Sequence, residues 1–294
     1  MALATAFVSG FAVFFNKFAV DFWQNSSVFT TGKNLVAALF LTSLILLLKK
    51  RTELKNLTKK QWLQLVVIGF VGGSVPFLLF FKGLSLASAV NAAFIHKTLF
   101  VWVAFLAVLF LKEKTSVLQW LALAVLFAGV YLFSSPGDFK IGYGEILVFG
   151  ATLIWAVENI IAKKVLENIS ALVVGWGRMF FGSFFLLVYL VATGDIVQLL
   201  KFNFNSWGWL VLSGAILFGY VVTWYSALRR APATVVSSIL VLAAPITALL
   251  NSIFITHQFK ISLLWPTVLI LTGVLLVSGL YGWFRTFYQV RPAS

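Results

Sequence analysis

Residues 84–114 read LSLASAVNAAFIHKTLFVWVAFLAVLFLKEK, and residues 228–258 read LRRAPATVVSSILVLAAPITALLNSIFITHQ. Each holds one long apolar run, near the roughly 20 residues that carry a helix across the hydrocarbon core of a bilayer. Laid over one another without a gap, they agree at Leu84 and Leu228, Ala87 and Ala231, Ala89 and Ala233, Ile95 and Ile239, Ala104 and Ala248, and Phe110 and Phe254. The register continues to Gly129-Val130 with Gly273-Val274 and to Leu132 with Leu276, an offset of 144 throughout. At nearly the same offset, Gly32-Lys33 resembles Gly177-Arg178. Isolated apolar matches between membrane helices mean little. A gapless register that carries a Gly-Val pair points to duplication.

Outside these two stretches the composition agrees. The 294 residues are 61% hydrophobic and 10% charged, with a mean hydropathy of +1.02. Soluble domains average roughly 45–50% apolar and about 25% charged residues, so this chain cannot cover its own surface in water. Near-unbroken runs such as Leu35–Leu48 and Phe180–Val191 lack the alternation of a transmembrane barrel strand. The sequence therefore predicts an all-α membrane protein with ten transmembrane helices, near 3–21, 28–48, 62–83, 87–111, 116–135, 142–162, 170–192, 206–227, 232–256 and 262–284. Met1–Gly10 has no basic n-region and reads as the start of a retained helix, not a cleaved signal peptide. Gly72, Gly73, Pro76, Pro245 and Pro266 lie inside spans, where they mark kinks or close helix contacts.

The net charge of +14 invites a nucleic-acid reading, but its placement argues for topology. Lys49, Lys50, Arg51, Lys55, Lys59, Lys60, Lys112, Lys114, Lys163, Lys164, Arg229, Arg230, Arg285 and Arg291 fall on one side of the spans. Lys140, Lys201 and Lys260 fall on the other. Basic loops face the cytoplasm, which puts both termini there. Five spans per half is an odd number, so the second half enters the membrane inverted. The expected units are a first five-helix repeat over 1–138, a second over 139–286 and a short cytoplasmic tail over 287–294. An inverted repeat gives two interchangeable conformations around a site near the midplane, which a transporter needs and an enzyme does not.

Ten spans in two five-helix repeats resemble the drug/metabolite transporter superfamily, in its EamA-type branch. The resemblance is carried by residues 84–95, by Phe110-Leu-Lys-Glu-Lys114, by Gln119 and by residues 128–132, with a second copy over 227–245 and 273–276. Two departures stand out: Thr256-His257-Gln258 replaces the acidic turn of the second copy, and Phe100-Val101 stands where a proline is usual. The resemblance implies export of amino acids or related metabolites.

Charged side chains at mid-span cost about 2.5–3.5 kcal/mol on insertion scales, so those present are the most informative residues. Lys97, about ten residues into its span and beside His96, is expected to face a polar cavity; the bland alternative is an ion pair with Glu158 or a bond to a broken helix. Lys17, Lys33 and Lys82 lie toward the outer ends of the first three spans and, as a set with Lys97, favour an anionic ligand. Taken singly, each can snorkel to the headgroups, and Lys17 has Asp21 one turn away. Glu158 and Arg178 lie at similar depth. They read either as an ion pair bracing the second repeat or as a protonatable carboxylate that couples transport to protons. Asn91 is the next polar candidate near Lys97, although six residues turn a helix by about 240°. Trp155, Tyr220 and Trp224 are candidates for an apolar substrate wall, or for packing. The substrate-binding set is thus Lys97, His96, Asn91, Lys33, Lys17, Trp155, Tyr220 and Trp224.

With no cysteine and two distant histidines, no metal site or cofactor is expected. No phosphate loop, nucleophile elbow or His-Glu-x-x-His occurs, so energy must come from a gradient or from exchange. The expected function is secondary transport of small polar metabolites bearing a carboxylate or phosphate, by a monomer in the cell membrane, with protons as the candidate coupling ion. The alternative is a flippase subunit for a lipid-linked anion. A non-transporting membrane partner has no use for the repeat.

Overall fold

A backbone in hydrocarbon must satisfy its own polar groups, and a run of membrane length does so as a helix. A computed structural model of the chain describes residues 1–21, 23, 25–136, 141–201 and 204–289, without the side chains of residues 17, 20, 21, 280, 281 and 283–289. Among these residues every regular element is helical. In chain order they are α1 (Ala2–Asp21), α2 (Ser26–Leu47), α3 (Arg51–Lys55), α4 (Lys59–Gly73), α5 (Val75–Leu84), α6 (Ala89–Lys97), α7 (Leu99–Leu111) and α8 (Val117–Ser134). Then follow α9 (Tyr143–Val165), α10 (Ala171–Thr193), α11 (Ile196–Leu200), α12 (Phe204–Arg230), α13 (Ala233–Leu240), α14 (Ala243–Asn251) and α15 (Leu264–Gln289). Nine stretches are long and apolar enough to cross a membrane among the described residues, and the N-terminal helix is apolar over the shorter Ala2–Asn16. The nine overlie the second to tenth expected spans. The expected boundary at 138/139 lies outside the described residues, as do Lys140, Arg291, most of the 287–294 tail and the side chains of Lys17, Asp21 and Arg285.

Short polar residues start the helices where the sequence turns polar. Asn25 accepts from the Ser27 and Val28 amides, Ser170 from Val173, and Thr58 with Gln61 and Ser116 with Gln119 form capping boxes.

Three membrane stretches are broken in the middle. Span 59–84 breaks at Ser74, between α4 and α5. Span 89–111 breaks at Thr98 and span 233–256 at Val241-Leu242, so the second and third breaks fall at repeat-related positions. Pro245 explains the later break, because it has no N–H for the Val241 carbonyl. Val101 stands in its place in the first copy, yet the helix still opens: the Val101 amide bonds to Thr98 O, three residues back, at 2.9 Å.

Helix neighbours occur in exchanged pairs. α1 packs on α12 and α14, while α9 packs on α5 and α7; α2 packs on α12, while α10 packs on α4. α2 meets α10 and α8 meets α15, each pair being its own counterpart. The α8–α15 crossing runs through the duplicated glycines. A Cβ on Gly129 would stand 2.9 Å from the Ile270 amide, and one on Gly273 2.8 Å from the Leu126 backbone. Only glycine lets these helices approach so closely.

The two ends of the bundle pack differently. At the end carrying the basic loops, one continuous core joins α2, α4, α7, α9, α10, α12 and α13, with Leu41, Leu65, Val103, Ile160, Met179 and Leu228 at its centre. Toward the far end the core divides. Phe29, Leu190, Leu199 and Leu210 form one cluster among α2, α10, α11 and α12, and Ala92, Ile95 and Val148 form another between α6 and α9.

Candidate functional site

The break in span 59–84 organises the centre of the molecule. Pro76 has no N–H to offer Gly72, four residues back. Two side chains take the freed carbonyl instead: Trp155 Nε1 of α9 at 3.1 Å and Arg178 Nη2 of α10 at 3.1 Å. The neighbouring Gly73 carbonyl accepts from Asn34 Nδ2 of α2 at 3.3 Å. One turn along α9 from Trp155, Glu158 accepts a 2.5 Å hydrogen bond from the Tyr225 hydroxyl of α12, which also lies beside the Arg178 guanidinium. Glu158 is 1% exposed and Arg178 is buried with it. No carboxylate oxygen lies within 4 Å of the guanidinium among the described residues. The opposite charges therefore face one another across the Gly72 backbone and the Tyr225 hydroxyl, without meeting head to head.

Gly72 makes that arrangement possible. A Cβ there would lie 2.5 Å from Glu158 Cγ and 3.1 Å from Arg178 Nε. Gly72→Ala is therefore expected to destabilise the protein by about 1–3 kcal/mol through overpacking. Thermal unfolding in detergent checks this, and a variant as stable as the parent would show that Glu158 is free to move.

Toward the far end, Trp155 belongs to an aromatic cluster. Its ring packs against His96 at 4.9 Å, Phe77 at 5.2 Å and Phe80 at 5.6 Å. Phe77 also walls Lys33, whose ammonium lies 5.1 Å from the Phe29 ring and 5.9 Å from Phe77 and from Phe81. Lys33 is only 7% exposed, and no carboxylate comes within 4 Å of it among the described residues. Aromatic faces attract a cation, but they leave its anion-binding capacity unused. His96 Nδ1 is buried without a hydrogen-bond partner. This cluster thus holds a cation with no carboxylate within 4 Å among the described residues, an imidazole nitrogen without a hydrogen-bond partner, and apolar walls. Among the described residues no three His, Asp or Glu side chains converge as metal ligands.

The structure links Lys33, His96 and Trp155 through one aromatic cluster that includes Phe77, with Glu158, Arg178 and Tyr225 next along α9, α10 and α12 and Tyr220 within electrostatic reach of Glu158 and Arg178. Tyr220 stacks on Trp224, 6.0 Å apart and nearly parallel. Lys97 goes elsewhere. Its ammonium sits 5.0 Å over Phe133 of α8, away from Glu158. Asn91 also points away from Lys97 and donates to Glu145 at 3.4 Å near the far end. Lys82 is exposed, and the Lys17 side chain lies outside the described residues. Sequence reading gave Asn34 and Phe77 no role. The i−4 relation of Pro76 to Gly72 was visible, but its partners come from three distant helices.

The EamA-like transporter family profile matches residues 1–135 and again residues 142–279. An uncharacterized transporter of Bacillus subtilis (strain 168), YyaM, is 26% identical over 284 residues, covering 92% of each chain. An uncharacterized transporter of Archaeoglobus fulgidus is 26% identical over 264 residues, covering 89% of this chain and 91% of its own. A protein known from a crystal structure superposes with a TM-score of 0.76 at 14% identity, over 95% of this chain and 96% of that one, a likeness of fold alone.

Proposed function

The chain belongs to the EamA-like transporter family, and from that premise we propose that it is a secondary transporter for small metabolites bearing a carboxylate or phosphate. That it is a multi-pass membrane transporter and not an enzyme follows from the family. The substrate class rests on one observation: Lys33 is buried, walled by three aromatic rings and, among the described residues, without a carboxylate partner. A buried charge is normally paired, so one left unpaired in an aromatic cluster is reserved for a ligand. His96 supplies a second polar contact and Trp155 the apolar floor.

Alternating access follows from the inverted repeat, with residues 1–138 and 139–286 as the two units. Equivalent residues in the two copies stand in opposite states. Val90 is 47% exposed at the far end, whereas its mate Thr234 is 3% exposed at the basic end. Ala93 is exposed and its mate Ser237 buried. The continuous core at the basic end and the divided core opposite agree with a site open toward the far end. Placing the basic end in the cytoplasm makes this the outward-open state, with both termini inside. The whole site lies within one chain, so a monomer suffices, and export is the direction the family suggests.

Purified protein is expected to gain thermal stability with carboxylate- or phosphate-bearing metabolites, since a ligand of the folded state stabilises it by mass action. Proteoliposomes should then take up the same compounds. A response to cationic metabolites alone would overturn the assignment and move recognition to Glu158.

A further inference from the structure

Two charged side chains at the basic end, Glu113 and Lys163, are bonded to the backbone of the α12–α13 turn. Glu113 follows the left-handed residue Lys112 that closes α7. Its carboxylate accepts from the Ala233 amide at 2.7 Å, the Thr234 amide at 3.3 Å and the Thr234 hydroxyl at 2.8 Å. It therefore caps the N-terminus of α13, a helix of the other repeat. Lys163 of α9 reaches the same turn from the opposite side. Its ammonium donates to the Leu228 carbonyl at 2.5 Å and the Ala231 carbonyl at 2.7 Å, with Glu113 close enough to act on it electrostatically. One acid and one base thus hold the α12–α13 turn, the segment through which the closed end would have to part.

The far-end turn is bonded by a different acid, Glu145 of α9, which accepts from Asn91 Nδ2 at 3.4 Å at the start of α6. The helix termini of that turn at Leu84–Val90 are the repeat mates of Leu228–Thr234. A single π-helical turn at Ser252–Thr256 takes up an extra residue, so the left-handed cap of the second copy is His257 and the residue after it is Gln258. Gln258 is exposed, and both its amide and its carbonyl bond to Thr256 Oγ1. At offsets of 144 and 145 Lys163 falls on Ala19 and Phe18, both uncharged.

We propose that Glu113 and Lys163 form a latch on the α12–α13 turn, not repeated by Gln258 at the other end, that holds the basic end closed and makes the far-end-open conformation the resting state. This rests on the transport reading above. Binding of substrate must then supply enough differential free energy to part the latch, because Gln258, the counterpart of Glu113, makes no bond to the far-end turn among the described residues.

The absence of native cysteine allows single-cysteine labelling with a membrane-impermeant maleimide in oriented vesicles. Ala93→Cys and its repeat mate Ser237→Cys report the two ends. In the otherwise native chain, Ala93→Cys is expected to react and Ser237→Cys to resist. With Glu113→Ala and Lys163→Met together, labelling at Ser237→Cys should rise about ten-fold or more, while that at Ala93→Cys falls, because hydrogen bonds to charged groups are lost from one state only. Gln258→Glu gives the far end the counterpart of Glu113 and should shift both rates the same way. It leaves the packed end intact, so it serves if the latch variants do not fold. An unchanged ratio of the two rates overturns the latch. A rise at both ends together also overturns it, since that is loosening and not gating. If Ala93→Cys in the native background does not react at all, the transport reading itself has failed.

Discussion

Arg178→Met is expected to cost about 3–5 kcal/mol of stability, the typical effect of removing one partner from a buried charge pair. The variant strands Glu158, which is 1% exposed and keeps only the Tyr225 hydroxyl as donor, and it takes one of two donors from the Gly72 carbonyl. Arg178→Met with Glu158→Gln should recover most of the loss, because a neutral amide is left where a carboxylate was. Tyr225→Phe should cost less, about 1–3 kcal/mol for a buried acceptor that loses its donor. The measurement is a double-mutant cycle on unfolding in detergent, and a coupling energy near zero would mean that the two charges do not sense each other across Gly72. The cycle bears on mechanism too. Three of the groups around this cluster belong to α9, α10 and α12, and the fourth is the break in the α4–α5 span. We therefore expect a change in the charge of Glu158 to be felt at that break.

How much of this was legible beforehand depended on whether the signal lay along one helix or between several. The spans were readable because an apolar run of membrane length has only one way to satisfy its backbone. The repeat was readable because Gly129-Val130 and Gly273-Val274 must stay glycine-led to let α8 and α15 cross. The break at Pro76 was marked in sequence, but the break at Thr98 was not, since Val101 carries a perfectly good N–H that simply bonds one residue short. Helix phase decided the rest. Lys97 and His96 are neighbours in sequence, yet about 100° of rotation separates them, and one meets Phe133 while the other meets Trp155. Depth alone made Lys97 the sharper candidate; its direction, over Phe133, is why we propose Lys33 in its place. Glu113 read as part of a family turn and Lys163 as a topology charge. Their bonds to the α12–α13 turn span 120 and 65 residues and leave no local pattern.

Lys33 is where the functional reading makes its largest wager. Lys33→Met is expected to abolish stabilisation and uptake by carboxylate or phosphate compounds, lowering affinity about 100-fold, the scale of one or two charge-assisted hydrogen bonds lost. The same variant should be as stable as the parent without ligand, or more stable. Its thioether chain fills the space between Phe29, Phe77 and Phe81 without the desolvation that an unpaired ammonium carries there. Loss of function with a gain in stability is the mark of a residue kept for a ligand, since a structural residue loses both together. Lys33→Arg retains the charge but widens it, and should bind weakly. Lys97→Met, which removes an ammonium resting on Phe133, should transport nearly as well as the parent. Ligand-dependent melting and proteoliposome uptake for the three variants decide between the two lysines. Full activity in Lys33→Met with loss in Lys97→Met would place the anion on the α6–α8 side of the broken span and refute the site proposed above.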